Sequence, residues 1–427
     1  MSTTPETKNV TEAASEDQTL AAADLQDERL IAGQKGVVGW IRSFANRQRS
    51  GDLGSLPVII GLVLIWVVFQ LLNPAFLSSR NLVNLTLQCA AVGTIAIGVV
   101  LVLLLGEIDL SIGSVSGLSA AVVVVTFVQL RWPLALAILA AIASGALVGF
   151  IYGMIFNRFG VPSFVITLAG LLGFLGLQLA VLGKDGSISI PFKSPLVKFS
   201  LTFLPNWLSW VLLVVVVGLF LSSRLRLNQL RARAGLSTTP VLSIVVRTAL
   251  LAALLAVALY ALVLDRGLSI MVLVFLILVV IFDFLIRRTR WGRSVFAVGG
   301  SVEAARRAGI DVKRIYLTVF MLCSALAAIG GIFAAARLGS ANQSSGGGDV
   351  NLNAIAAAVI GGTSLFGGRG SAYSALLGVI VLQSIASGLA LMNLDSKVQY
   401  MVTGAVLLLA VTIDSLSRRA RAAAGRG

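Results

Sequence analysis

The sequence predicts an all-α protein, a polytopic bundle of transmembrane helices. Of its 427 residues, 57% are hydrophobic and 12% are charged, so polar side chains are too few to cover a soluble domain of this length. Apolar runs of roughly 20 residues recur along the chain, and a helix of that length crosses a hydrocarbon core about 30 Å thick. Their number predicts about 10 to 12 spans, with some segments broken or re-entrant.

The two ends of the chain are polar and are predicted to lie outside this bundle. Residues 1–50 carry several acidic side chains and no apolar run long enough to build a core, which is typical of a disordered tail. We expect a transmembrane domain at 51–417 and a basic tail at 418–427. Positive charge before the first apolar run and after the last places both termini in the cytoplasm. The net charge of +15 therefore indicates membrane topology rather than nucleic-acid binding.

The apolar runs are separated by short polar or basic segments. Spans are predicted at 56–72, 82–105, 112–130, 133–156, 162–182, 207–221, 248–264, 268–286, 315–336, 353–366, 372–391 and 398–413. Residues 183–206 contain three lysines and three prolines, so we predict an outer loop there, and a second one at the Gly-, Ser- and Asn-rich residues 338–349. The run at 353–366 is shorter than a full span and is predicted to be re-entrant or broken.

Residues 287–314 form the most charged stretch after the N-terminal tail, and they separate two apolar runs. Within them, Ser301 is placed to cap a short helix, and Glu303 stands where the helix dipole favours an anion. Arg306 and Arg307 follow at the spacing of helical ion pairs with Glu303, and Gly309 suits the left-handed residue that ends a helix. The stretch is either a cytoplasmic loop that fixes topology or a surface on which another protein docks.

One spacing of small and apolar residues occurs twice. The pattern Gly-x3-Leu-x2-Gly-x2-Ser fits Gly106, Leu110, Gly113 and Ser116, and again Gly361, Leu365, Gly368 and Ser371. Both copies are predicted on the cytoplasmic side. Membrane transporters are often built from two related halves with broken helices, although chance agreement is the alternative in a chain this rich in glycine.

Two carboxylates, Glu107 and Asp109, stand between apolar runs with almost no loop. An acid facing lipid is unfavourable by a few kcal/mol, so we expect both to face protein or water. They could line a solute path at a broken helix, or serve as turn and cap residues for the helix that begins near Ser111. Proton coupling by this pair is a third interpretation.

Several neutral polar side chains lie within the predicted spans. They are Gln88, Thr167, Gln178 and Gln383. Each must form a hydrogen bond with a neighbouring helix or with water in a path. Such groups suit an uncharged, hydroxyl-rich solute, and ordinary bonds between helices account for them equally well.

The chain lacks residues that many metal and nucleophile sites require. It contains no histidine, and Cys89 and Cys323 stand within apolar runs, as small buried side chains do. Metal binding and nucleophile–histidine chemistry are therefore not predicted. The sequence also lacks the Gly-x4-Gly-Lys-Ser/Thr pattern of phosphate-binding loops, so we expect a transport subunit that does not itself hydrolyse ATP.

Four stretches together resemble the permease subunits of bacterial monosaccharide ABC importers, the ribose, xylose, arabinose and galactose group. They are GEIDLSIGS at 106–114, VPSFVITLAG at 161–170, EAARRAGI at 303–310 and AAVIGGTSLFGGRGS at 357–371. Glu107 before Ile-Asp-Leu-Ser, and an additional basic loop and helix pair at 224–264, resemble the xylose branch. The resemblance covers nearly all of 56–419 and excludes the N-terminal tail.

The resemblance implies a homodimer in the bacterial cytoplasmic membrane, surrounded by lipid, that moves a monosaccharide by alternating access. D-xylose or a related pentose or hexose is the expected solute. A separate ATPase would bind ATP and Mg, with no cofactor on this chain, and an extracytoplasmic sugar-binding protein would deliver the sugar. The alternative is an ion-coupled secondary sugar transporter, in which membrane carboxylates would be essential.

The resemblance also assigns candidate residues by motif. The ATPase contact is expected at Glu303, Ala304, Ala305, Arg306 and Gly309. Together with the polar side chains inside the spans, the stretch near Glu107 is expected to form the translocation pathway, at Gln88, Glu107, Asp109, Ser111, Ser114, Thr167, Gln178 and Gln383.

Overall fold

The computed structural model of the chain describes residues 56–236, 238–395, 397–398, 400–406, 408–409, 412 and 415. The predicted tails at 1–50 and 418–427 lie outside the described residues. Within the described part, the chain forms two compact units. The larger unit draws on the described residues of 56–204 and 262–415, and the smaller unit on those of 205–261.

Helices account for nearly all of the regular structure. In the larger unit they are α1 (Leu56–Leu72), α2 (Ser79–Leu104), α3 (Ile112–Val124), α4 (Leu134–Phe159), α5 (Ser163–Leu182), α6 (Pro195–Leu201), α9 (Ile270–Arg288), α10 (Arg290–Gly300), α11 (Val302–Arg307), α12 (Val312–Leu338), α13 (Gly348–Ile360) and α14 (Ala372–Leu391). The smaller unit holds α7 (Asn206–Arg233) and most of α8 (Val241–Val263). Strands β1 (Ser187–Ser189) and β2 (Ser340–Asn342) pair in antiparallel register.

Nine of the described helices are long and apolar enough to cross a membrane. They are α2, α3 with its π-helical continuation Val125–Gln129, α4, α5, α7, α8, α9, α12 and α14. Two shorter apolar helices, α1 and α13, add to them. The predicted all-α, polytopic fold is therefore confirmed.

Helix α13 is one of the short segments that the sequence predicts to be broken or re-entrant. Its 13 residues rise about 20 Å, which is less than a hydrocarbon core about 30 Å thick. The helix occupies Gly348–Ile360 rather than 353–366. It ends early because Gly362 takes a φ of +101°, a conformation open to glycine that interrupts the helix.

The α7 helix also departs from its predicted bounds of 207–221, because it continues to Arg233. The added residues include Leu, Arg, Gln and Ala, all good helix formers, so the helix continues past the point where its apolar stretch ends. Helix α8 likewise begins at Val241 rather than at 248. In both helices the charged residues end the apolar run, but the helix itself continues through them.

Helix α2 lies in the core of the larger unit, where 89% of its most apolar stretch is buried. It packs against α9, α12, α13 and α14. At Gly98, a side chain would meet the Cys323 carbonyl oxygen of α12 at 2.8 Å, so glycine lets the two helices approach closely. The main hydrophobic core therefore forms around α2.

Strands β1 and β2 join the two segments that the sequence predicts as outer loops. Ser187 pairs with Asn342 and Ser189 with Ser340. The Ile190 N–H extends the pairing by donating to the Gly339 carbonyl oxygen at 2.8 Å. The two loops therefore lie at the same end of the larger unit.

Candidate functional sites

The connector between α2 and α3, residues 105–111, lies against a second non-helical connector, residues 361–371, between α13 and α14. The Gly368 N–H donates to the Leu104 carbonyl oxygen at 2.9 Å. Gly106, with a φ of +79°, approaches the backbone of the second connector. The two segments that share the Gly-x3-Leu-x2-Gly-x2-Ser spacing thus meet in the fold.

The two copies of this spacing differ in backbone conformation. In the first copy, Gly113 and Ser116 lie inside α3. In the second, Gly368 takes a φ of +71° within the connector, and Ser371 precedes α14. The shared spacing corresponds to two segments that touch, and it does not correspond to one repeated local structure.

Asp109 is buried at the centre of the first connector, with 3% of its surface exposed. Its Oδ1 accepts hydrogen bonds from the Ser111 N–H at 2.8 Å and the Ser111 hydroxyl at 2.7 Å. The Tyr152 hydroxyl of α4 in turn donates to Ser111 Oγ at 2.7 Å. In the described part of the chain, no basic side chain lies within 4.0 Å of this carboxylate. The bonds hold the backbone in the turn that precedes α3.

Glu107 is the half-buried acid of the same connector. Its Oε2 accepts from the Ser163 hydroxyl at 2.5 Å, which ties the connector to the start of α5. One turn along α5, Thr167 Oγ1 accepts from the Leu110 N–H at 3.1 Å. The Tyr316 side chain of α12 lies beside Glu107. The connector is therefore held by polar contacts from α5 and α12.

The remaining predicted pathway residues are distributed over the core. Ser114 Oγ donates to the Leu171 carbonyl oxygen at 2.8 Å, and Gln178 Nε2 donates to the carbonyl oxygens of Asn342 and Ser345 at 3.0 and 2.9 Å. Gln383 is buried in α14, and Gln88 is half-buried in α2. The hydrogen bonds of Ser114 and Gln178 join different elements, as expected if these side chains hold the helices together. Their part in a pathway stays a prediction.

Asn351 belongs to this region and was not singled out in the sequence. Its Nδ2 donates to the Leu110 carbonyl oxygen at 2.5 Å, and its Oδ1 is buried with no hydrogen-bond partner among the described residues. Nearby, Gly113 and Gly117 of α3 let residues 343–347 pack directly on that helix. An amide in the first turn of a short apolar helix was the signal available in the sequence.

Helix α11 has the local structure that the sequence predicts. Ser301 Oγ accepts from the Ala304 N–H at 3.2 Å, and Gly309 takes a φ of +78°. Glu303 lies 3.6 Å from Arg306 and 3.4 Å from Arg307. These predictions are confirmed.

The two faces of α11 differ in exposure. The side chains of Glu303 and Arg306 are 62% and 67% exposed, and Ala304 is exposed beside them. Ala305, in contrast, is 3% exposed and packs into the core of the larger unit. The helix thus presents a charged face with small residues outward and is anchored by Ala305.

Helix α10 joins this exposed helix to the end of α2, where the first connector begins, and to the second connector. Gly299, at its end, packs against the Leu104 carbonyl and the Gly368 amide, where a side chain would not fit. Only Gly300 and Ser301 separate that contact from α11. A displacement of α11 would therefore reach both connectors through a few covalent bonds.

Apolar spanning helices, buried polar connectors and an exposed charged helix are together the features of an integral membrane permease. The chain belongs to the family described as the branched-chain amino acid transport system / permease component, whose model matches residues 81–411. It is a permease subunit of an ABC transporter, a multi-pass protein of the cytoplasmic membrane, and a transport component rather than an enzyme.

Known relatives cover most of the chain. It is 36% identical over 372 residues to the xylose transport system permease protein XylH of Escherichia coli K12, covering 87% of this chain and 94% of the relative. It is 32% identical over 364 residues to the ribose import permease protein RbsC of Bacillus subtilis, covering 85% and 94%. The probable ABC transporter permease protein YphD of Escherichia coli is 31% identical, covering 86% and 91%. No solved structure matches the chain.

Proposed function

We propose that this permease imports a monosaccharide, with D-xylose as the first candidate and other pentoses or hexoses next. The observation that carries the proposal is the 36% identity to a xylose permease along 87% of the chain. Neutral hydroxyl and amide groups around the connectors also suit an uncharged polyol. A separate extracytoplasmic binding protein determines most of the specificity for the sugar. The permease itself binds the sugar only weakly, so that release is fast.

The exposed face of α11 is the proposed docking surface for the ATPase. Glu303, Ala304, Arg306 and the turn at Gly309 contact the partner, and Ala305 holds the helix to the permease. ATP and Mg bind on the ATPase and not on this chain. When the ATPase closes, α11 moves, and α10 passes the displacement to the connectors through the contact at Gly299.

Within the connectors, Glu107 borders the pathway because it is the half-exposed acid of the pair. The side chains of Asp109, Ser111, Ser114, Thr167 and Gln178 hold the wall behind it, and Gln88 and Gln383 complete that wall from α2 and α14. This assignment rests on the burial of these groups and on their bonds to neighbouring elements. Movement of the wall opens the pathway to one side and then to the other.

A second copy of the permease completes the proposed pathway. Helix α5 contributes Ser163 and Thr167 to the connector contacts. A side-chain carbon added at Gly173 or Gly176 of the same helix would meet no atom of this chain within 4 Å, so that side of the helix is open. We place the two-fold contact along that open side of α5. Both termini lie in the cytoplasm, because the arginine-rich segments mark the inner side.

The test is ATPase stimulation in a reconstituted complex. The full-length permease is purified with its ATPase, placed in nanodiscs, and mixed with the sugar-binding protein loaded with one sugar at a time. We expect stimulation by one pentose or hexose and none by the unloaded binding protein. Uptake that follows an ion gradient, without ATPase stimulation by any sugar, would contradict the proposal.

A further inference from the structure

The hairpin of α7 and α8 has an unusual charge balance. Residues 205–261 contain five arginines and neither aspartate nor glutamate. Four of them, Arg224, Arg226, Arg231 and Arg233, lie in the last third of α7, and Arg247 lies in α8. Arg224 of α7 and Arg247 of α8 line the same cavity. Like charges held at close range repel one another and destabilise the fold. A negatively charged ligand at this place would offset that repulsion.

A cavity of about 180 Å³ lies between the two helices at this end of the hairpin. It is lined from α7, from α8 and from the turn between them by Phe220, Arg224, Leu227, Asn228, Arg231, Thr239, Ser243, Ile244 and Arg247. A second, more open groove is lined on α7 alone and includes Arg226 and Arg233. The cavity between the helices is therefore the less open of the two, with arginines on both walls.

The walls of this cavity are held by polar contacts within the hairpin. Asn228 Nδ2 donates to the Thr239 carbonyl oxygen at 3.0 Å, and Asn228 Oδ1 accepts from the Thr239 N–H at 2.9 Å. The guanidinium carbon of Arg224 stands 5.1 Å from the centre of the Phe220 ring, which orients its charge. The contacts close the hairpin and keep its basic side chains near the cavity.

The depth of the cavity along α7 indicates what fills it. The residues just before it, including Val214, Val215, Val216 and Leu219, are exposed and apolar, as on a helix that faces lipid. Arg224 is the first charged residue after that apolar stretch, so it lies at the height of the lipid headgroups. Arginine also binds phosphate through two parallel hydrogen bonds.

We propose that this cavity binds the phosphate group of an anionic phospholipid, whose acyl chains lie along the exposed apolar surface of α7. Basic pockets between transmembrane helices are known to hold acidic lipid headgroups. None of the residues that line this cavity belongs to α11 or to the connectors. Lipid bound there would anchor the hairpin to the headgroup layer.

The test measures lipid binding to the full-length protein in an uncharged detergent by native mass spectrometry. Phosphatidylglycerol and phosphatidylcholine with the same acyl chains are compared. We expect tighter binding of phosphatidylglycerol, weakened by added salt, and a rise of its Kd by roughly thirtyfold in Arg224→Gln/Arg247→Gln, since each arginine near a bilayer surface contributes about a fivefold factor. Equal binding of the two lipids to the wild type overturns the proposal without any variant.

The matched control is Arg226→Gln/Arg233→Gln, which removes the same number of charges from the same hairpin, both from the groove on α7 that lies outside the cavity. We expect its Kd to stay near that of the wild type. If both double variants lose affinity for phosphatidylglycerol equally, the lipid is attracted by the net charge of the hairpin and not by the cavity. That result would overturn the proposed site. Arg224→Lys/Arg247→Lys keeps the charge and removes the two parallel hydrogen bonds, so we expect its Kd to lie between those of the wild type and the glutamine variant. If the glutamine variant unfolds, an unchanged Kd in the lysine variant would overturn binding of phosphate by these two arginines.

Two further experiments test whether something other than a lipid fills the cavity. Displacement of phosphatidylglycerol by millimolar inorganic phosphate would make free phosphate the ligand and overturn the lipid proposal. Deletion of residues 1–50, which carry acidic side chains, tests occupation by the chain itself. If only the truncated protein binds the lipid, the acidic tail fills the cavity and the proposal fails.

Discussion

At the scale of single residues, Asp109 shows how a buried carboxylate can serve the backbone. Asp109→Ala removes the acceptor of both bonds from Ser111 and of a weak third one from the Cys323 thiol at 4.0 Å. The N–H and hydroxyl of Ser111 are left with fewer buried partners. We expect a loss of about 1–3 kcal/mol in the free energy of unfolding. Asp109→Asn keeps Oδ1 as an acceptor and removes the charge, so we expect stability close to that of the wild type. Thermal unfolding in detergent, followed by intrinsic fluorescence, measures both variants.

If Asp109→Asn is as unstable as Asp109→Ala, the negative charge itself is required and the hydrogen bonds do not account for the residue. Tyr152→Phe extends the comparison, because it removes only the outer bond to Ser111 and leaves the ring in place. We expect a smaller loss for it than for Asp109→Ala.

Residue contacts could be predicted from the sequence where both partners are near in the chain. The cap at Ser301, the ion pairs of Glu303 and the left-handed Gly309 all follow from spacings of three to six residues, and all are confirmed. Asn351 bonds to Leu110 across 241 positions, and no local pattern encodes that distance. The contacts of the connectors could therefore not be predicted from the sequence and became visible only in the structure.

At the scale of elements, α3 depends on its glycines for contact with residues 343–347. A side chain at Gly117 would meet the Ser345 carbonyl oxygen and the Gln178 amide. We expect Gly117→Ala to destabilise the protein by about 1–3 kcal/mol, because the loop and the helix must separate. Gly218→Ala in α7 is the matched control, since no atom lies within 4 Å of the added carbon. There we expect unchanged stability or a gain of up to about 1 kcal/mol.

Both glycine variants are measured by thermal unfolding in the same detergent. An equal loss in the two would attribute the effect to glycine in general rather than to the contact of α3 with residues 343–347.

The exposed α11 helix allows a test of docking that leaves the membrane core intact. Glu303→Lys reverses the charge at its outward face and breaks both ion pairs with the arginines that follow. Exposed pairs contribute little, so we expect stability to change by less than about 1 kcal/mol while ATPase stimulation by the loaded binding protein falls at least tenfold. Stimulation is measured in nanodiscs.

Asp395→Lys is the control for this charge reversal. Asp395 is 67% exposed, against 62% for Glu303, and also pairs with a basic residue, Lys397, at 2.6 Å. We expect it to leave stimulation unchanged. Undiminished stimulation in Glu303→Lys would remove α11 from the docking surface.

Element types were easier to predict than element ends. Apolar length identified the spans, because the bilayer imposes it on every crossing helix. The end of α13 depended on the conformation of Gly362, and the end of α7 lay beyond the apolar stretch altogether. Hydrophobicity sets neither of these two helix ends, so the hydropathy of the sequence could not locate them.

At the scale of the whole molecule, the proposed two-fold contact along α5 predicts a specific cross-link. Native Cys89 and Cys323 are both buried, so a new exposed cysteine is the main reactive thiol among the described residues. We expect Gly173→Cys in nanodiscs to form a disulfide-linked dimer on mild oxidation. Gly218→Cys, on an equally open glycine of α7, is expected to remain monomeric on a denaturing gel. The reverse result would place the second copy against α7.

The burial of α2 also has a consequence for the synthesis of the protein and its insertion into the membrane. Its partners α9, α12, α13 and α14 all follow it by more than 160 residues, and the connector bond between Leu110 and Asn351 spans 241. At about 5–20 residues per second, a ribosome needs roughly 12 to 48 seconds to supply that second partner. Until α9 and α12 have been made, α2 stays in the insertion machinery or in lipid without these native neighbours. We therefore expect chains that terminate before α12 to be cleared rapidly by membrane proteases.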